Sequence, residues 1–113
     1  MRGSLTRRAQ ASALALAAML GSVRGAEAQE APVPATPEAG RKAYTSYCVR
    51  CHGINLAVGS SAFYDLRTFP KEEKARFVES VTQGKRAMPA WGGILKPGEL
   101  EAIWVYVGSV NGW

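Results

Sequence analysis

The chain has 113 residues, with 14 lysines and arginines against 9 aspartates and glutamates and a hydrophobic fraction of 47%. Two cysteines and one histidine are too few for a closed four-ligand zinc centre. The basic excess would suit a nucleic-acid partner, but it sits largely in the first 28 residues. Beyond them 10 basic residues face 8 acidic ones, so no nucleic-acid role is expected.

Arg2, Arg7 and Arg8 form a basic start, Ala11 to Val23 are almost wholly apolar or small, and Ala26-Glu27-Ala28 offers a small-x-small cleavage site. This order describes a secretory signal peptide over residues 1–28, cleaved after Ala28. Kept as an anchor, the apolar run would span only about 20 Å of a hydrocarbon core about 30 Å thick. No stable membrane span is therefore expected after cleavage, and the export implied is to the periplasm. Residues 29–36 read as a mobile Pro/Ala linker, and residues 37–113 as one domain. A domain of this size removes only about 60–65% of its unfolded surface from water, so a large apolar cofactor would help fill it.

Thr36-Pro37-Glu38 predicts a helix start, with threonine as cap, proline in the first turn and a carboxylate at the positive end of the dipole. That helix should run to about Tyr47. Residues 53–69 lack helical periodicity and are expected to be a long loop. A second helix is expected from about Pro70 to Gln83, with Phe77, Val78 and Val81 inward and Gly84 as its stop. Residues 84–96 read as another loop. Pro97 opens the last helix, where Leu100, Ile103, Val107 and Val110 recur at helical spacing. No strand is predicted, and the fold class is all-α.

Between the first helix and the long loop stands Cys48-Val49-Arg50-Cys51-His52. In a Cys-x-x-Cys-His segment the thiols lie one helical turn apart on one face. They are placed to add to two vinyl groups on one side of a haem, while the next residue turns its imidazole to the iron. A thioredoxin-like dithiol would need a preceding strand and a βαβ setting, which the pattern lacks; a plain disulfide stays open. Met88 is the one methionine beyond the leader, and His52 the one histidine of the chain. Met88 lies in a loop beside Pro89, which would stiffen the backbone and aim the thioether. We read His52 and Met88 as the two axial ligands, against the alternative of a core-filling methionine.

Residues 36–113 resemble the class I c-type cytochromes. The family places a glycine and an aromatic eight and four residues before the first haem cysteine, where Gly40 and Tyr44 stand. It ends with an aliphatic and an aromatic three apart, matched by Ile103 and Tyr106. The resemblance implies a small cytochrome c fold, with about three main helices and long loops wrapped around one covalently attached haem c. It implies that the first and last helices cross at Gly40, with Tyr44 and Tyr106 packed over the crossing. In the family a Pro-x-Leu follows the haem histidine by twelve residues; its proline carbonyl accepts the imidazole Nδ1–H, and its leucine packs on the ring. Here the stretch is Tyr64-Asp65-Leu66: Leu66 matches, and Tyr64 keeps a carbonyl but not the ring of proline. Arg67 and Trp91 are candidates to hydrogen-bond a haem propionate.

The combination of Cys-His-Gly-x-Asn, Asp65-Leu66-Arg67 and Met88-Pro89-Ala90-Trp91 is similar to small cytochromes that serve PQQ-dependent (quinoprotein) alcohol or methanol dehydrogenases. This likeness implies a periplasmic one-electron carrier, not an enzyme, taking electrons from such a dehydrogenase and passing them towards a terminal oxidase or another cytochrome. Arg50, Lys85, Arg86 and Lys96 would steer acidic partners to the haem edge. The alternatives are a carrier for another respiratory dehydrogenase and a haem-based gas or redox sensor in which Met88 gives way.

Overall fold

A computed structural model describes residues 30–113 together with Gly21. Apart from Gly21, the signal peptide expected over residues 1–28 and its cleavage site lie outside the described residues.

The N-terminal helix α1, Pro37–Tyr47, begins where the sequence places it. Thr36 is extended and its hydroxyl accepts the Ala39 amide at 3.2 Å, with Pro37 opening the helix and Glu38 in its first turn. After Cys48, which departs slightly from helical geometry, a short helix α2 spans Val49–His52 and holds the Cys-x-x-Cys-His segment. The next helix, α3, runs Lys74–Gln83, and the last, α4, runs Glu99–Asn111. Among the described residues there is no strand, only an isolated bridge between Lys85 and Met88. The all-α expectation holds.

The core is the crossing of α1 over α4. At Gly40 an added Cβ would stand 1.9 Å from the Ala102 carbonyl oxygen and 2.7 Å from the Tyr106 Cβ, so the two backbones touch there. Tyr44 and Tyr106 pack beside the contact with ring centroids 5.2 Å apart. Both rings are buried, as are Ile103 and Val107. Their hydroxyls reach one loop: Tyr44 donates to the Gly53 carbonyl at 2.6 Å, and Tyr106 to Asn55 Oδ1 at 3.3 Å. A second aromatic group, Phe69, Phe77 and Trp104, ties the middle of the chain to α4, with centroids 5.1 to 6.0 Å apart.

Several local details differ from the sequence reading. The segment 53–69 is not featureless: it contains 3-10 turns at Ile54–Leu56 and Leu66–Thr68. Short-range capping builds the second turn, where Asp65 accepts the Arg67 amide at 3.0 Å, and a long-range bond from Asn111 to the Leu66 carbonyl at 3.0 Å ties it to α4. Such turns carry no hydrophobic period to read. The expected helix start at Pro70 is a 3-10 turn, Lys71–Glu73, and α-geometry begins only at Lys74 after Glu73 leaves it. In α4 the left-handed backbone at Gly98 delays the start to Glu99. Val110, expected inward, is 38% exposed. The last turn passes beyond the core's cover, and Trp113 folds back there instead, stacking 4.7 Å from Trp104 with its amide on the Gly108 carbonyl. Residues 30–36 form no helix or strand, yet they do not hang free. The Val33 amide donates to the Pro97 carbonyl at 2.9 Å, and Lys96 pairs with Glu30 at 3.3 Å.

Candidate haem site

Helices α1 and α3 both pack on α4. A cavity of about 340 Å³ is lined by Tyr44 and Tyr47 from α1, Phe77, Ser80 and Val81 from α3, and Ile103 from α4. The volume falls in the range of about 300–1,000 Å³ typical of cofactor pockets. Its remaining walls gather most of the residues singled out from sequence: Cys48, Cys51, His52, Leu66, Met88 and Trp91. Residues 40 positions apart in the chain thus meet around one largely apolar space.

The imidazole is held from behind. His52 Nδ1 lies 3.0 Å from the Tyr64 carbonyl oxygen. A carbonyl only accepts, so Nδ1 carries the proton and Nε2 is left with its lone pair. The backbone at Tyr64 therefore does what the family's proline carbonyl does. Its rigidity comes from elsewhere: the Tyr64 ring packs edge-on against Phe69, centroids 5.9 Å apart, and Asp65 caps the turn that follows.

The methionine is presented by a built turn. Lys85 and Met88 exchange two backbone hydrogen bonds, at 3.0 and 2.9 Å. Arg86 adopts a left-handed conformation to close that turn (φ 53). The Trp91 and Gly92 amides then bond the Val81 and Thr82 carbonyls at 2.8 and 3.2 Å, clamping the loop to the end of α3. Gly84 supplies the reversal: its φ is 76°, and a side chain there would meet the Met88 carbonyl at 2.7 Å. Pro89, expected to stiffen this loop, is not what holds it; the turn and the clamp do. Tyr47 packs on Trp91, centroids 5.5 Å apart.

The two thiols are separate, Cys48 half-buried and Cys51 exposed. Burial, and then the neighbouring Cys51, push the Cys48 thiol up to about 12. A thioredoxin-type pair works through a thiol lowered below its usual range, so both the direction of this shift and the helix that stands where a strand should precede the pair argue against that chemistry. Burial also raises the Tyr44 phenol, with Cys48 and Tyr106 adding to it.

Arg67 is placed differently from expectation. Its guanidinium faces its own turn, with Nε and Nη2 on the two oxygens of Asp65 at 3.0 and 2.9 Å, and it does not line the cavity. Two arginines do line it: Arg86 in the methionine loop and Arg76 on α3, the latter without a signal in the sequence because one cation in a charged, amphipathic helix carries none of its own. Phe77 was legible only as core, and Phe69, at the end of the expected loop, not at all; both line the cavity.

Class I c-type cytochromes are built on this crossing of first and last helices, and the chain is one of them, with one haem c attached through Cys48 and Cys51. The donor set fits that group: two thiols one turn apart, a nitrogen and a soft sulfur on the walls, and apolar surface between. Residues 35–107 match the family described as Cytochrome C oxidase, cbb3-type, subunit III, and the chain belongs to that family. It is 37% identical over 79 residues to the Cbb3-type cytochrome c oxidase subunit FixP of Bradyrhizobium sp. (strain ORS 278), covering 66% of this chain and 27% of the relative. The chain thus spans about a quarter of the length of that subunit. It is 37% identical over 84 residues to the Quinohemoprotein alcohol dehydrogenase ADH IIB of Pseudomonas putida, covering 69% of this chain and 12% of the relative. Cytochrome c6 of Bryopsis maxima is 32% identical over 88 residues, covering 67% of this chain and 96% of the relative. Among the described residues no helix is long and apolar enough to cross a membrane.

Proposed function

We propose that this cytochrome is an exported, periplasmic shuttle with His52 and Met88 as its axial ligands. On this reading it accepts electrons from a quinoprotein alcohol or methanol dehydrogenase and delivers them towards a terminal oxidase or a second cytochrome. The observation that carries it is the meeting of His52 and Met88, the histidine and the one methionine beyond the leader, on the wall of the cavity that the attachment cysteines border. Haem bound there supplies a one-electron iron couple. His52 offers Nε2 because Tyr64 holds the proton on Nδ1. Met88 offers a thioether, and that soft donor favours the ferrous state and raises the potential, as suits an acceptor for a dehydrogenase. Leu66 and Trp91, both on the cavity wall, would pack on the cofactor and help exclude water.

The dehydrogenase partner is supported by the quinohemoprotein relatives together with the Met88-Pro89-Ala90-Trp91 stretch, and the oxidase end by the cbb3-type relatives. The clamped turn around Met88 favours a carrier over a gas sensor, which needs that ligand to leave. In stopped-flow mixing with a purified quinoprotein alcohol dehydrogenase, rapid reduction that slows with ionic strength is expected. Failure to be reduced at any salt concentration removes this donor. Met88→Ala is expected to abolish the sulfur-to-iron band at the red end of the ferric spectrum and to admit carbon monoxide to the ferrous form. A retained band would mean another sixth ligand.

A further inference from the structure

The cations around the cavity are not equivalent. Lys85 and Arg86 stand at its mouth with exposed side chains. Arg76 is half-buried, with its guanidinium carbon 4.5 Å from the centroid of the Phe69 ring, a buried wall residue. Its Nε and Nη2 both donate to one carboxylate oxygen of Glu73, which fixes the fork and leaves the Nη1 edge for another acceptor. Glu73 first, and then the Tyr64 hydroxyl, hold the guanidinium firmly protonated. Arg67, by contrast, spends its fork on Asp65 outside the cavity.

A haem brings two carboxylates, on the edge away from its two cysteine links. The cysteines belong to the α1–α2 side of this cavity, and Arg76 to α3. A carboxylate entering apolar surroundings must be paired with a cation or take up a proton. A planar fork already stacked on an aromatic ring gives up little freedom in pairing with it.

Resting on the haem reading above, we propose that Arg76 binds one haem propionate, keeps it ionised through the neutral range, and thereby holds the reduction potential high and independent of pH. A fixed positive charge near the iron favours the reduced form; its loss leaves an uncompensated carboxylate that favours the oxidised form until a proton neutralises it. Facing the cavity besides Arg76 are Tyr44, Tyr47, Tyr64, Lys85, Arg86 and His52. On the reading above His52 would be taken up as an axial ligand, which leaves the propionates as the carboxyls of this cavity. The propionate is then the group whose proton the potential reports.

The test is the midpoint potential of the holoprotein between about pH 5 and 8, the range in which a carboxylate raised by burial titrates. The wild type and Arg67→Gln are expected to give one flat curve. Arg76→Gln is expected to lie below it at the upper end and to rise towards it as pH falls, with Arg76→Lys between the two. An Arg76→Gln curve that superimposes on the wild type overturns the assignment. Covalently bound haem and the sulfur-to-iron band are checked in every variant, so a failure of the ligation itself shows separately as their absence from the wild type. Should the Arg76 variants not mature, the ferrous wild type still decides: nuclear Overhauser contacts between the Arg76 side chain and a propionate methylene are expected, and their absence overturns the proposal.

Discussion

At Gly40 the two longest helices meet backbone to backbone, and one methyl group is enough to part them. The Cβ of Gly40→Ala would stand 1.9 Å from the Ala102 carbonyl, and no rotamer change relieves a clash with main chain. We expect a loss of about 3 kcal/mol, at the upper end of overpacking costs. Small domains hold only about 5–15 kcal/mol in all, so the denaturant midpoint should fall sharply. Asp65 sets a different kind of limit. The Arg67 side chain, and then its amide, hold this carboxyl below its usual value. Its contribution to stability is therefore fully present above the unfolded value of about 3.9 and is lost as pH falls through the lower folded value. Asp65→Asn should flatten that part of the acid unfolding curve. Tyr44 has the opposite sign: burial raises its phenol, so stability falls as pH rises past the unfolded value of about 10. Tyr44→Phe should remove this alkaline loss and cost about 1–2 kcal/mol at neutral pH through the vacated Gly53 carbonyl.

The elements were legible to the extent that they follow a rule of their own. Thr36-Pro37-Glu38 announces α1, and Phe77 and Ile103 show which faces of α3 and α4 turn inward. The turn that presents Met88 follows no such rule. Its two hydrogen bonds, Lys85 with Met88, and its clamp onto α3 are main-chain contacts that any side chains would allow, apart from the reversal at Gly84. Proline was the visible residue, so the stiffness was credited to Pro89. The two accounts part experimentally. Gly84→Ala forces a left-handed alanine, which costs about 1 kcal/mol, and pushes on the Met88 carbonyl. It should lower the temperature at which the ferric sulfur-to-iron band is lost while haem stays attached. Pro89→Ala should move that temperature much less.

At the scale of the whole fold, the positive charges among the described residues include some paired with carboxylates and others left open to solvent. Lys96, first grouped with the steering charges, pairs with Glu30, and Lys74 with Glu101 at 2.7 Å. Arg50, Lys85 and Arg86 remain exposed, the last two at the cavity mouth. Long-range attraction raises encounter rates and is screened over about 8 Å at physiological ionic strength. Lys85→Gln and Arg86→Gln together should therefore slow reduction by an acidic partner at low salt and shrink the dependence of the rate on salt, leaving the high-salt rate nearly unchanged.

By itself the amino-acid order displayed the attachment chemistry: two thiols one turn apart followed by an imidazole, with the Met88 thioether far along the chain. Covalent attachment and helix periodicity depend on near neighbours, and near neighbours are what a sequence displays. Only the tertiary structure decided which cations line the cavity, what fixes the imidazole tautomer and how the methionine turn is held. Each of these depends on main-chain atoms or on side chains brought together from distant elements. Arg67 and Arg76 look alike as letters; Asp65 turns one outward, and the packing of α3 beside Phe69 puts the other on the wall.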